Sequence, residues 1–216
     1  MMAAEAINFL IVLFGVTVLL ISLVSRIESF IKILSFQGFL LFLIVAAGLG
    51  EIHPLDFGVL FVETVAVKTV LIPLFLLRII RRSEIYREVE PNISHFNSLL
   101  VATILTAFGL FMAWWSIGAA EGIRPLHFGI SVSTLLVGLY IIVSRKKIIT
   151  HVLGYVVIEN GIFLLSLSVA GTMPRIVELG LLLDLFLVVY LFGIFVSRIS
   201  STYDEIDIGT LTDLKD

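Results

Sequence analysis

The sequence predicts an all-α integral membrane protein with seven transmembrane helices. Hydrophobic residues make up 59% of the 216-residue chain and charged residues only 14%, whereas a soluble domain carries about 25% charged residues. The mean hydropathy, +1.14, is correspondingly high. The apolar residues also fall into runs close to the length of about 17–25 residues that a helix needs to cross a bilayer core.

Seven apolar runs are the predicted spans, and short polar segments separate them. The runs cover residues 7–24, 30–49, 57–77, 96–117, 127–143, 148–170 and 176–196. The first run includes part of MMAAEAINFL, which lacks the basic n-region of a secretory signal, so we expect this run to remain as a span. Together the spans form a single membrane domain.

The lysine and arginine residues predict the orientation of the spans, because cytoplasmic loops are enriched in both. Arg124 and Arg175 lie on one side of the predicted membrane, and Lys68 lies within the third span. The other side carries Arg26, Lys32, Arg78, Arg81, Arg82, Arg87, Arg145, Lys146, Lys147, Arg198 and Lys215. We therefore expect the N-terminus outside and the C-terminus in the cytoplasm.

Weak internal repetition predicts two parallel three-helix units. A Ser-Arg pair ends the first span at Ser25 and the fifth span at Ser144, and the runs IHPLDFG and IRPLHFG lead into the third and fifth spans. Parallel repeats of this kind occur in transporters, although chance similarity between apolar segments is the alternative. The predicted units are residues 1–80 and 127–200, joined by a loop and linking span at 81–126, with a cytoplasmic tail at 201–216.

Several ionisable residues fall deep inside the predicted spans. Lys68 lies near the middle of the third span with Glu63, while Glu159 and Asp184 lie in the sixth and seventh. A charge at the centre of a span costs about 2.5–3.5 kcal/mol on insertion scales. We therefore expect these groups to face one another, a partner subunit or water. Glu63 and Lys68 are too far apart around the helix to pair, so they should face different neighbours.

A polar stripe follows one face of the sixth span. His151, Tyr155 and Glu159 recur every four residues, which places them on one side of a helix over two turns. An imidazole, a phenol and a carboxyl in line can form a proton relay from the cytoplasmic end to the midplane. The alternative is that His151 and Tyr155 are interfacial and that Glu159 alone is buried. Asn160 either orients Glu159 or holds helices together.

Two acidic residues of the seventh span extend this hypothesis. Asp184 is predicted at midplane depth, with Glu178 nearer the outside. If Asp184 faces Glu159, the two carboxyls share a proton that the site can load and release. The alternative is a permanently protonated Asp184 that forms an interhelical hydrogen bond.

Two further positions need partners inside the bilayer. Gln37 lies deep in the second span, where its amide is either part of the ion pathway or a contact between helices. Pro73 has no N–H to donate to the carbonyl of Thr69, which leaves an acceptor one residue from Lys68 and predicts a kink.

The composition excludes several classes of function. There is no cysteine, so the chain has no disulfide and no thiolate-held iron–sulfur cluster. The net charge of −3 gives no indication of nucleic-acid binding. No metal-binding, phosphate-binding or nucleophile motif is present. We therefore expect no cofactor and no redox active site in this chain itself.

The run SRKKIITHVLGYVVIENG, from Ser144 to Gly161, resembles the second helix of the K subunit of respiratory complex I. In that family a basic turn leads into a span that carries a glycine and then a buried glutamate. Glu159 lies one turn after the family position, which Val156 holds here. The resemblance implies that Asp184 has the role of the family's second buried carboxylate. The tail, IDIGTLTDLKD, is also similar.

A closer resemblance is to the hydrogenase-4 component E family, a longer K-type subunit. It covers essentially the whole chain and includes KTVLIP from Lys68 to Pro73, GYVVIEN, VELG followed by Asp184, and LTDLK near the end. Glu63 is not part of this pattern. The resemblance implies a multi-pass subunit of the inner (cytoplasmic) membrane, in a complex-I-like assembly such as formate hydrogenlyase.

The same resemblance implies partners and a function. Antiporter-like membrane subunits and a membrane anchor subunit are expected beside the chain, with lipid around it. Peripheral hydrogenase subunits are expected to hold a nickel–iron site and iron–sulfur clusters. The chain itself is expected to contribute to proton (or sodium) translocation coupled to oxidoreduction. A structural adaptor and a free-standing transporter are the alternatives.

Overall fold

The computed structural model describes residues 2–48, 61–82, 94–116 and 124–170, together with positions 58, 186, 189, 190 and 193. Nearly all of these residues are helical, which confirms the predicted all-α fold class. The helices are α1 (Met2–Leu23), α2 (Ile27–Gly48), α3 (a π-helical segment, Val62–Leu71, followed by α-helical Ile72–Arg82), α4 (His95–Ser116), α5 (Pro125–Ser144) and α6 (Ile148–Ala170).

Five of these helices, α1, α2, α4, α5 and α6, are long and apolar enough to cross a membrane. They coincide with the first, second, fourth, fifth and sixth predicted spans, so the chain is a multi-pass membrane protein. The third predicted span overlaps α3. The seventh predicted span, residues 176–196, and the tail at 201–216 lie outside the described residues, apart from single positions. The orientation, the repeat and the division into units stay predictions.

The helices form a closely packed bundle in which α1 and α2 are antiparallel, as are α5 and α6, whereas α1 and α5 run parallel. α1 packs against α2, α4 and α5, while α2 packs against α3 and α6, and α5 and α6 make the most extensive contact. Glycines permit that contact: a Cβ on Gly138 would lie 3.1 Å from the carbonyl oxygen of Gly154. A fully buried core that includes Phe14, Leu41 and Leu153 fills the interior.

α3 changes from π-helical to α-helical hydrogen bonding just before Pro73. The N–H of Ile72 donates to the carbonyl of Val67, five residues earlier. Pro73 cannot donate to Thr69, as predicted, and the structure supplies a different donor for that carbonyl. The hydroxyl of Ser35 on α2 donates to the oxygen of Thr69 over 2.5 Å. The irregular part of α3 is therefore hydrogen-bonded to α2.

Candidate functional site

An ion pair between α3 and α6 lies at the centre of the bundle. The Nζ of Lys68 is 3.1 Å from the Oε1 of Glu159, and the two side chains are only 4% and 1% exposed. Glu159 is the central residue of α6, so the pair lies at mid-depth of a membrane-spanning helix. The structure thus brings together two of the residues that sequence depth indicated as sites, while their role in a pathway stays a prediction.

Phe163 also contacts the ammonium of Lys68. Its ring centroid is 4.8 Å from the Nζ of Lys68, within the range of a cation–π interaction. Phe163 lies one turn after Glu159 on α6, so the carboxylate and the ring lie on the same face of that helix. Lys68 therefore binds α6 through both an ionic and an aromatic contact.

Gly38 on α2 allows Lys68 to occupy this position. A Cβ at Gly38 would lie 3.1 Å from the Cβ of Lys68 and 3.0 Å from the Oγ1 of Thr69. Because glycine has no side chain, α2 can approach the π-helical part of α3 directly at the lysine. This contact was not predicted from the sequence, because a glycine in an apolar run gives no indication of its neighbour.

A chain of buried hydrogen bonds begins at the residue next to Glu159. The Nδ2 of Asn160 donates to the Oε1 of Gln37 over 3.2 Å, and the Nε2 of Gln37 donates to the Oγ1 of Thr17 over 2.9 Å. Thr17 in turn donates to the carbonyl of Phe14 over 2.6 Å. These bonds connect α6, α2 and α1. We call Thr17, Gln37, Lys68, Glu159 and Asn160 the midplane cluster.

The predicted stripe on the sixth span lies on α6. His151 is partly buried, and its Nε2 is 2.8 Å from the carbonyl oxygen of Arg145, in the turn between α5 and α6. Tyr155 is partly buried against the hydrophobic core. His151 is therefore at the end of the helix and Glu159 at its middle, with Tyr155 one turn from each. The relay through these residues stays a prediction.

Three predicted site residues fall where the structure gives no side-chain geometry. Asp184 and Glu178 lie outside the described residues. Glu63 lies in the π-helical segment of α3, and its side chain is likewise outside the described part. The proposed sharing of a proton between Asp184 and Glu159 stays a prediction.

Arg145 is a buried cation that sequence reasoning treated as an ordinary loop residue. It is only 3% exposed, and burial lowers the pKa of its guanidinium from the ordinary value. Its Nη2 donates to the carbonyl of Ser22 over 3.3 Å, at the C-terminal end of α1, where the helix dipole favours a cation. The hydroxyl of Ser98 donates to the same carbonyl over 3.0 Å. The run RKK gave no indication of which basic residue turns inward.

Comparison with known proteins supports the family resemblance. The chain is 29% identical over 118 residues to hydrogenase-4 component E of Escherichia coli K12, across 55% of this chain and 54% of that protein. The match to the Shigella flexneri component is the same. The chain is distantly similar to hydrogenase-4 component E. The similarity spans about half the length of those proteins, and the relation to the K subunit of complex I stays a prediction.

A longer match, at lower identity, is to an uncharacterized protein of Mycobacterium tuberculosis. The two are 23% identical over 156 residues, which cover 72% of this chain and 71% of the mycobacterial protein. No protein-family model matches the chain. No solved structure matches it either.

Proposed function

We propose that this chain is a membrane-arm subunit of a complex-I-like hydrogenase, such as formate hydrogenlyase, in the cytoplasmic membrane. There it contributes to proton (or sodium) translocation coupled to oxidoreduction in peripheral subunits. The distant similarity to hydrogenase-4 component E supports membership of a hydrogenase complex. The observation that carries the transport role is the buried ion pair of Lys68 and Glu159 at mid-depth.

The pair can respond to charge in a neighbouring subunit. Two unit charges 4 Å apart interact by about 4 kcal/mol at an effective dielectric constant of 20, so a charge arriving near Lys68 changes the energy of the pair considerably. The ammonium of Lys68 stabilises the ionised carboxylate. Drawing it away therefore favours uptake of a proton by Glu159, and its return favours release. In this way the pair converts a neighbour's change of state into proton movement.

The remaining predicted residues form the proton route on either side of the pair, and neighbouring subunits provide the energy. His151 and Tyr155 are the access steps from the membrane face at which α6 begins, which is cytoplasmic in the predicted orientation. Asp184 and Glu178 continue the relay in the seventh span. Antiporter-like subunits and a membrane anchor subunit flank the chain. Peripheral hydrogenase subunits hold the nickel–iron site and iron–sulfur clusters that drive the process.

Charge-neutral variants of the pair test the transport role. Complexes with Lys68→Met, Glu159→Gln or both are purified, reconstituted into liposomes and supplied with the electron donor, and the resulting ion gradient is measured. We expect assembled complexes that retain oxidoreduction but build a several-fold smaller gradient. A full gradient in the double variant would rule the relay out.

The chain offers a matched control for this experiment. Glu28 and Lys32 are one turn apart at the start of α2, and both are exposed. The variant Glu28→Gln/Lys32→Met makes the same chemical changes outside the bundle interior. It is expected to leave the gradient unchanged, so a loss confined to the buried pair reports its position rather than the loss of charge.

The second candidate function is that of a structural adaptor. The observation in its favour is that the midplane cluster joins four helices, α1, α2, α3 and α6. Buried polar contacts of this kind can fix the register of helices without moving ions. In that case even the double variant Lys68→Met/Glu159→Gln, which leaves no unpaired buried charge, would lose the complex itself on native gels, and the surviving complexes would couple normally.

A further inference from the structure

α5 carries a second buried polar stripe that the sequence analysis did not use. His127, Ser131 and Thr134 are four and three residues apart, so they share one face of the helix. His127 is 4% exposed, and Ser131 and Thr134 are fully buried. Three polar side chains in succession on the buried face of a membrane-spanning helix need an explanation, because each must find hydrogen-bonding partners away from water.

The stripe faces the interior between α1 and α6. On one side of it, Ile130 meets α1: a Cβ on Gly15 would lie 2.9 Å from the Cδ1 of Ile130. On the other side, Leu135 meets α6: a Cβ on Gly161 would lie 3.1 Å from the backbone nitrogen of Leu135. Ser133, by contrast, faces α4, where its hydroxyl bonds the carbonyl of Thr106 over 3.2 Å. The stripe is therefore enclosed by helices and does not face lipid.

The inner end of the stripe reaches the depth of the midplane cluster. Thr134 and Asn160 are each one residue from the contact between Leu135 and Gly161, so they lie at the same level on adjacent helices. His127 lies two turns away, about 10 Å along the helix. It is close to the end of α5 at which the chain enters, opposite to the end that carries Arg145.

Unsatisfied polar atoms lie at the outer end of the stripe, on His127, and beside its inner end, on Asn160 of α6. The Nε2 of His127 and the Oδ1 of Asn160 are buried and have no hydrogen-bond partner among the described residues. Between them, the hydroxyls of Ser131 and Thr134 donate to the carbonyls of Phe128 and Ile130. Their oxygens can still accept, and each hydroxyl can rotate. Water bound along this face would find a polar group at every turn.

We propose that His127, Ser131 and Thr134 line a hydrated path from the membrane face at which α5 begins to Asn160 in the midplane cluster. A proton would move by exchange, with each water or hydroxyl accepting one proton and releasing another. This path leads to the midplane cluster from one membrane face, and the route that starts at His151 leads to it from the opposite face. Its use in translocation rests on the proposed function, whereas its hydration does not.

Cysteine modification tests the hydration directly, because the chain contains no cysteine of its own. Ser131→Cys and Ser133→Cys change the same residue type two positions apart, and both serines are buried. Full-length variants in native membrane vesicles are treated with a small water-soluble methanethiosulfonate. The reagent reacts with the thiolate, which forms only where the cysteine is in contact with water. Since Ser131 lines the proposed path and Ser133 faces α4, Ser131→Cys is expected to react about tenfold faster than Ser133→Cys.

The sidedness and the transport assay separate this inference from the proposed function. Modification of Ser131→Cys is expected from the face at which α5 begins, and equal or undetectable reaction of both cysteines would overturn the path. Thr134→Val, which removes the hydroxyl at nearly constant volume, is expected to lower the gradient several-fold, and an undiminished gradient would overturn the path's role in transport. If Ser131→Cys reacts as expected but the Lys68 and Glu159 variants build full gradients, the proposed function fails and the hydrated path stands.

Discussion

At the scale of single residues, the buried pair of Lys68 and Glu159 is the feature on which the proposed transport role depends. Each charge alone would be expensive at mid-depth. Together, with Phe163 against the ammonium, they are tolerated. A buried pair of this kind adds little stability compared with apolar residues of the same volume. For this reason the proposed function assigns the pair a change of charge state and does not assign it a role in folding.

Removing one partner of the pair is expected to destabilise the protein more than removing both. Lys68→Met and Glu159→Gln each leave a buried charge without its counter-ion, which costs about 3–5 kcal/mol. The double variant contains no buried charge at this point, so its free energy of unfolding is expected to lie closer to that of the wild type. Thermal unfolding in mild detergent, followed by the fluorescence of the two tryptophans, measures this. Losses that simply add would contradict it.

The central positions of Lys68 and Glu159 in their predicted spans indicate that both side chains need partners, but they do not predict that the two residues pair with each other. Periodicity shows which residues share a face of one helix, and it leaves open how that helix is rotated against its neighbours. For this reason the sequence supports the pairing of Glu159 with Asp184 only as a hypothesis, and it identifies no single partner for Lys68. The sequence does not indicate that Thr17 and Phe163 belong to this site, because a hydroxyl or an aromatic ring is common in an apolar run.

At the scale of elements, the contact between α2 and α3 shows how an irregular helix is tolerated inside a bilayer. Pro73 removes one backbone donor, and a free carbonyl in this setting is costly unless a neighbour bonds it. Ser35 supplies that bond to Thr69, and Gly38 makes the approach possible. The π-helical segment that carries Lys68 is therefore fixed by α2 and not by its own hydrogen bonds alone.

The effect of Ser35→Ala is expected to depend on Pro73. In the wild-type background the variant leaves the carbonyl of Thr69 without this donor, a loss of about 1–3 kcal/mol. In a Pro73→Ala background the restored N–H can donate to Thr69, four residues earlier, so the same change is expected to cost less. Thermal unfolding of the four proteins measures the coupling. An equal loss in both backgrounds would show that Ser35 does not replace the missing donor.

Gly109 on α4 is expected to tolerate no side chain. A Cβ there would lie 2.6 Å from the carbonyl oxygen of Gly129 and 2.8 Å from the backbone nitrogen of Ser133. Backbone atoms cannot rotate away, so Gly109→Ala is expected to separate α4 from α5 and to cost about 1–3 kcal/mol. This loss outweighs the gain of about 1 kcal/mol in helix propensity.

Gly15→Ala is the matched control for this change. Its added Cβ would lie 2.9 Å from the Cδ1 of Ile130, the flexible end of a side chain, so Ile130 can shift and the variant is expected to be near neutral. The two variants are compared by thermal unfolding in detergent. If both lose the same stability, close backbone approach is not the reason for Gly109.

At the scale of the whole molecule, hydropathy predicts seven spans, and five of them agree within a few residues with described helices long enough to cross a membrane. That success has a simple cause: the bilayer fixes both the length and the composition of a spanning helix. The polar contacts that join the helices were not predicted in the same way. The sequence places Arg145 among the loop cations that predict the orientation, whereas in the structure its side chain is buried in the bundle and its neighbour Lys146 is exposed.

Arg145 is expected to hold one end of the bundle together, while the midplane cluster holds the centre. Its guanidinium donates to the carbonyl of Ser22 at the end of α1. Ser98 of α4 donates to the same carbonyl, and the carbonyl oxygen of Arg145 contacts His151 on α6. Arg145→Met retains much of the apolar side chain but loses the charged hydrogen bond, at about 1.5–3 kcal/mol. Lys146→Met removes the adjacent exposed charge and is expected to be near neutral. Thermal unfolding in detergent compares the two variants.

A second background makes the role of Arg145 specific to Ser22. In the single variant Arg145→Met, the hydroxyl of Ser98 still donates to the Ser22 carbonyl. Adding Ser98→Ala removes that donor as well, so the double variant is expected to lose more stability than the two single losses combined. Strict additivity would mean that Arg145 acts through its other contacts. Equal losses in Arg145→Met and Lys146→Met would mean that net charge at this membrane face, and not the buried contact with α1, stabilises the bundle.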